Sequence, residues 1–149
     1  MIQTIIKRDG SKEAFNAAKL NKWAEWASGN LGDLVDWPSV AMQAVSTVGK
    51  ECTSQQLQER LIRVCLDNDS WSYYKMAGRL LAALLDKSIF PEGKPTIQVL
   101  HNKLVSKGLM IDLRYSDSEY NELDKVINHS LDYNCVYFGL DFINGKYAL

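Results

Sequence analysis

Thr4-Ile5-Ile6-Lys7-Arg8-Asp9-Gly10-Ser11-Lys12-Glu13-Ala14-Phe15 is the stretch on which the fold turns. Gln3 to Lys7 is β-favouring, Asp9-Gly10 is a turn dipeptide, and Ser11 to Phe15 can return as a second strand, so the segment reads as a hairpin. Glycine suits the turn because positive φ brings no Cβ clash. Beyond Phe15 the period changes from two to between three and four. Leu20, Trp23, Trp26, Ala27 and Leu31 predict an amphipathic helix over about 16–31, closed by Gly29 and Gly32.

Working outward, a second helix is expected from Trp37-Pro38-Ser39, with proline in a first turn where a missing N–H costs nothing. Val40, Ala44, Val45 and Val48 line one side, and Gly49 ends it. Thr53-Ser54-Gln55-Gln56 has the pattern of a capping box and opens a third helix with Leu57, Leu61, Val64 and Cys65 on its apolar face. A fourth, over about 70–88, carries a wide stripe of Tyr74, Ala77, Leu80, Leu81, Leu84 and Leu85, as the central helix of a bundle should. Pro91-Glu92-Gly93-Lys94-Pro95 then breaks the composition and reads as a linker. Past it, residues 96–107 and a segment opening at Ser116 and Glu119 are helical in pattern, and residues 133–149 are rich in aromatics. The chain is therefore expected to be mainly α, a small N-terminal β-hairpin on a four-helix bundle over 1–90. A linker at 91–95 and a short, mostly helical segment over 96–149 follow, the latter too small to bury an independent core.

Composition narrows the function. Of 149 residues, 46% are apolar and 23% charged, and the formal net charge is −1. That is the balance of a globular protein without a basic footprint for DNA or membrane. Any phosphate binding must come from a local cluster of cations. Cys52, Cys65 and Cys135 are too scattered for a zinc ribbon or a disulfide framework, which suits a reduced, cytoplasmic setting. His101 and His129 lack partners at metal-ligand spacing. Neither a signal peptide nor a membrane span is expected, since Arg79 and Asp86 interrupt the most apolar stretch. Trp23, Trp26 and Trp71 are read as core or interface residues rather than a stacking platform.

The chemistry-bearing residues gather at the hairpin. Lys7 and Arg8 at the turn and Lys19 on the first helix supply cations suited to phosphates; lysine is a mobile point charge, and arginine binds two oxygens at once. Lys87, at the end of the fourth helix, reaches the same place if that helix packs on the hairpin. Glu13 and Asn16 add an acceptor and an amide for a base edge or ribose. The competing reading is an ordinary solvated turn, with Lys87 complementing a helix C-terminus.

The order Ile5-x-Lys7-Arg8-Asp9-Gly10-x-x-Glu13-x-x-Asn16-x-x-Lys19 resembles the signature of the ATP-cone domain, in which a small hairpin sits on a four-helix bundle. The resemblance covers residues 1 to about 90. It extends through Tyr74-Lys75-Met76-Ala77-Gly78-Arg79-Leu80 and Gly145-Lys146-Tyr147, which look similar to the N-terminal region of class I ribonucleotide reductase large subunits. It implies a triphosphate held by Lys7, Arg8, Lys19 and Lys87, a nucleoside contacted by Glu13 and Asn16, and a base packed on Ile5. Ser54 and Gln58, one turn apart on the third helix, would supply a hydroxyl and a reader of the sugar, with Thr53 as the substitute for Ser54. Gln58 departs from the histidine or aspartate of other members, which leaves the choice between ATP and dATP open.

What the resemblance implies for function is allosteric sensing of ATP or dATP, with Mg2+ accompanying the triphosphate. The partners would be the remainder of the large subunit and the radical-generating small subunit, with activity controlled through assembly into oligomers. The catalytic cysteines and barrel of a reductase are absent from these 149 residues. A nucleotide-dependent repressor would carry a zinc ribbon before the cone, and no CxxC is present. The alternative is a stand-alone nucleotide-binding or protein-interaction domain.

Overall fold

The computed structural model describes residues 2–146; Tyr147, the last residue of the Gly145-Lys146-Tyr147 match, lies outside the described residues. The hairpin forms where expected. Strand β1 (Thr4–Ile6) pairs antiparallel with β2 (Lys12–Ala14), Ile5 facing Glu13 across the ladder. The turn closes through Gly10 N–H donating to the Lys7 carbonyl and Lys7 N–H to that of Ser11. Gly10 takes a φ of +82°, the left-handed region the dipeptide predicts. Asp9 fixes the other side, its carboxylate accepting from the Ser11 N–H and hydroxyl at 2.8 and 2.6 Å.

The sheet has one strand more than the hairpin. Residues Glu51–Thr53 form β3, which pairs with β1 in parallel, Ile5 opposite Cys52 and Ile6 opposite Thr53. The order β2-β1-β3 makes β1 central. A parallel neighbour needs a long crossover, and helices α1 and α2 supply it.

Helix α1 (Ala17–Ser28) begins at Asn16, whose side-chain oxygen accepts from the Ala18 and Lys19 N–H groups. It ends three residues before Leu31, at Gly29 with φ +50°, and gives way to a 3-10 turn over Gly29–Leu34. The unpaired carbonyls there are claimed by Arg79, which donates to those of Ala27 and Ser28 at 3.1 and 2.8 Å and to the Asn30 side chain. Helix α2 (Trp37–Ser46) is capped by Asp36 and stops before Val48, because 47–50 must turn into β3. Helix α3 (Ser54–Asp67) starts with the expected capping box, Thr53 and Gln56 bonding reciprocally, and buries Leu57, Leu61, Val64 and Cys65.

Helix α4 (Trp71–Ile89) is the central element. Met76, Ala77 and Leu80 are fully buried. It meets α1 through Arg79, α2 through the Tyr73 hydroxyl, which accepts from the Asp36 N–H at 3.0 Å, and α3 through Gln58. The expected bundle is therefore present.

The described residues form two compact units, 2–84 with 133–146, and 85–132. The composition break at 91–95 falls inside the second, and residues 133–146 group with the first rather than with 96–132. Gly78 is the reason. A Cβ there would collide with the Cys135 carbonyl and lie 2.9 Å from the Tyr137 nitrogen, so glycine alone admits this backbone against α4. Tyr133 meets the edge of Trp26, itself stacked on Trp23, and Phe138 the edge of Tyr74. Helix α7 (Tyr137–Lys146) follows.

The second unit contains α5 (Ile97–Ser106) and α6 (Asp117–Val126), the latter opened by the Ser116–Glu119 capping box. Its centre is polar. The Tyr120 hydroxyl bonds His101 Nδ1 at 2.8 Å, and the Leu113 N–H donates to His101 Nε2 at 3.2 Å.

Candidate functional site

Parallel pairing decides what can meet. Because β1 and β3 run the same way, their C-terminal ends lie side by side, Ile6 against Thr53. Lys7 and Arg8 leave β1 at that end, and α3 starts there with Thr53 and Ser54. Two distant pieces of sequence are thus brought to one edge of the sheet. A helix N-terminus offers unpaired N–H groups and a positive dipole end, both suited to phosphate.

The cations converge on one carboxylate. Alternation along the strands puts Ile5, Lys7 and Glu13 on the same face. Lys7 Nζ lies 3.0 Å and Lys19 Nζ 3.1 Å from the same oxygen, Oε2 of Glu13. The bond from Lys7, then that from Lys19, holds the Glu13 carboxyl below the usual glutamate range. Both lysine side chains remain solvent-accessible, 47% and 67% exposed, so an incoming anion can reach them. Arg8 takes a different partner: its Nη2 donates to the Leu84 carbonyl on α4 at 3.3 Å.

The remaining expected residues divide by role. Ile5 is buried and belongs to the apolar core. Asn16 spends its side-chain oxygen capping α1, which leaves its amide N–H groups to donate. Ser54 is half-buried in the first turn of α3, while Thr53 is occupied as the helix cap. Gln58 is buried, and its Nε2 donates to the Leu80 carbonyl at 2.9 Å. Lys87 stands in the last turn of α4, in the second unit. Sequence reasoning missed β3. Glu51-Cys52-Thr53 is too short to show a period, and its only signal is its place directly before the capping box.

The other reactive side chains are structural. Cys52 and Cys65 are buried, and burial pushes the Cys65 thiol up to about 12. Cys135 is half-buried with its Sγ 3.7 Å from the Gly78 carbonyl, and burial raises it too, against a smaller opposing effect of Arg79. Among the described residues no cluster of His, Cys, Asp and Glu could hold a metal ion, and no helix is long and apolar enough to cross a membrane. Trp71 and Trp26 are exposed at 63% and 40%.

The chain resembles known proteins in two respects. The ATP cone domain family matches residues 3–81, more than half of the chain. Along 97% of its length the chain is also similar to ribonucleoside-diphosphate reductase alpha subunits. It is 29% identical to that of Buchnera aphidicola subsp. Acyrthosiphon pisum, 26% to the alpha subunit of ribonucleoside-diphosphate reductase 1 of Escherichia coli and 27% to the alpha subunit of Haemophilus influenzae. It spans 20% of the length of these relatives. With the hairpin, the first three helices, most of α4 and the Lys7–Lys19 cation cluster inside the matched region, the chain belongs to the ATP cone domain family.

Proposed function

We propose that the cone over residues 1–90 senses ATP or dATP and regulates an attached ribonucleoside-diphosphate reductase. The observation that carries the reading is the convergence of Lys7 and Lys19 on a single oxygen, at the sheet end where α3 begins. Lys7, Lys19 and Arg8 would hold the triphosphate, with Lys87 adding charge. Glu13 and Asn16 would address the nucleoside, and Ser54 the sugar or a phosphate oxygen. Ile5 would pack near the base from the face of the sheet that it shares with Lys7 and Glu13. Gln58 fits the sugar only through atoms not committed to Leu80. Magnesium would travel with the triphosphate, bound mainly by phosphate oxygens and water.

Regulation follows by linkage. A nucleotide favouring one arrangement of the reductase over another shifts the balance by its difference in affinity, typically ~1–3 kcal/mol. The partners proposed are the rest of the large subunit, whether in the same chain or a separate one, the small subunit, and further copies in an oligomer in the cytoplasm. The second unit favours such a neighbour: Ile111 and Val126 are each 77% exposed, and Leu109 69%. Apolar surface of this kind marks a contact face.

Calorimetric titration of the full chain with ATP and with dATP tests the proposal. Saturable binding is expected, weakened by about tenfold or more in Lys7→Ala and in Lys19→Ala, the size of one charge-assisted bond. No binding to the folded wild-type chain would leave the stand-alone interaction domain as the reading.

A further inference from the structure

We infer that Glu13 is an internal counter-ion that a triphosphate must displace, so that the site binds by exchanging one anion for another. The inference rests on the nucleotide reading above and adds an order of events to it. Its basis is geometric. One oxygen of Glu13 lies 3.0 Å from Lys7 Nζ and 3.1 Å from Lys19 Nζ, so the two ammonium groups share a single acceptor. Lys7 comes from the hairpin turn and Lys19 from the first turns of α1. Without an anion between them, two ammonium groups this close would repel and swing into water. Glu13 therefore holds both in place.

A triphosphate carries more negative charge than one carboxylate and offers more oxygens. It can satisfy both lysines at once and leaves Glu13 repelled by the phosphates. The carboxylate then has to turn away, and its remaining use is to accept a hydrogen bond from a donor on the nucleoside, an amino or hydroxyl group. Arg8 meets a similar choice. Its bond to the Leu84 carbonyl is long, at 3.3 Å, and a phosphate would be the stronger acceptor. Engagement of the phosphates and reading of the nucleoside are thereby coupled through one side chain: Glu13 is free to read only after the lysines have been taken from it. A ligand with phosphates and no nucleoside pays for the displacement and recovers nothing from the released carboxylate.

The test uses the full chain with two probes, inorganic tripolyphosphate and ATP, against wild type and Glu13→Gln. Removing the counter-ion should tighten tripolyphosphate by about fivefold or more, the effect of relieving two exposed charge pairs. ATP should gain less, because the variant also loses the carboxylate that receives the nucleoside, so the preference for ATP over tripolyphosphate narrows. Glu13→Ala provides a second removal of the charge, and circular dichroism checks that both variants keep the wild-type fold. If tripolyphosphate binds the folded variants no better than wild type, Glu13 is structural and the exchange is overturned. If neither probe binds the wild-type chain, the nucleotide reading itself fails.

Discussion

Glu13 shows how far one side chain can be read in two ways. As a residue of the fold it ties β2 to the turn and to α1; as a residue of the proposed site it would stand in the place of a ligand. Its pH dependence follows from the fold. The folded carboxyl is held below the ordinary glutamate value of 4.5, so its contribution to stability is fully present above that value. It is lost as pH falls through the depressed folded value. Carbon-detected NMR of the Glu13 carboxyl should therefore give a midpoint below 4.5, and a midpoint at or above it would mean that the lysines are not engaged in solution. Gln58 is the opposite case. Its type and its place one turn after Ser54 are legible from sequence, but its burial and its bond to the Leu80 carbonyl are not, because they depend on where α4 lies.

At the scale of elements, most of the chain's punctuation is local chemistry and could be read directly. Asp9-Gly10, the Thr53–Gln56 and Ser116–Glu119 boxes and the cap at Asn16 satisfy backbone groups only a few residues away. What escaped reading depends on partners distant in sequence. Strand β3 exists because β1 offers it an edge, and α1 ends early because Arg79, 51 residues on from Ser28, completes its last carbonyls. Gly78 belongs to this class: within α4 it reads as a weak helix former, and its purpose appears only with Cys135 beside it. Gly78→Ala should push the 133–146 segment off α4 and cost about 1–3 kcal/mol, as overpacking does. Urea unfolding measures the loss. Quenching of Trp26, which Tyr133 touches, should change in the same variant under native conditions. A variant as stable as wild type would show that the segment does not hold this position in solution.

For the molecule as a whole, burial is distributed unevenly. In the first unit Leu61, Met76, Leu80, Val40 and Cys65 are all essentially inaccessible. In the second, among the described residues, only His101 and Tyr120 are buried, and both are polar-tipped. Opening free energy follows buried apolar contact. Amides of residues 97–126 should therefore exchange with deuterium well before those of α3 and the buried part of α4, by at least about tenfold in rate. Equal protection in both units would show that the second is held by something other than its own core. The grouping of 133–146 with the first unit was not legible in the sequence, because nothing in the aromatic composition of that stretch says what it packs on.

The parallel pairing of β1 with β3 also sets the smallest portion of this chain that can be transplanted. A peptide ending at Lys19 would carry Lys7, Arg8, Glu13 and Lys19 and still lack the neighbouring strand and the start of α3. Since α1 and α2 form the crossover that delivers β3, neither helix can be trimmed without detaching half of the sheet edge. A graft of the proposed sensor into another protein has to take the whole stretch through α4, and a break in α2 would disable it without touching a single residue proposed to meet the ligand.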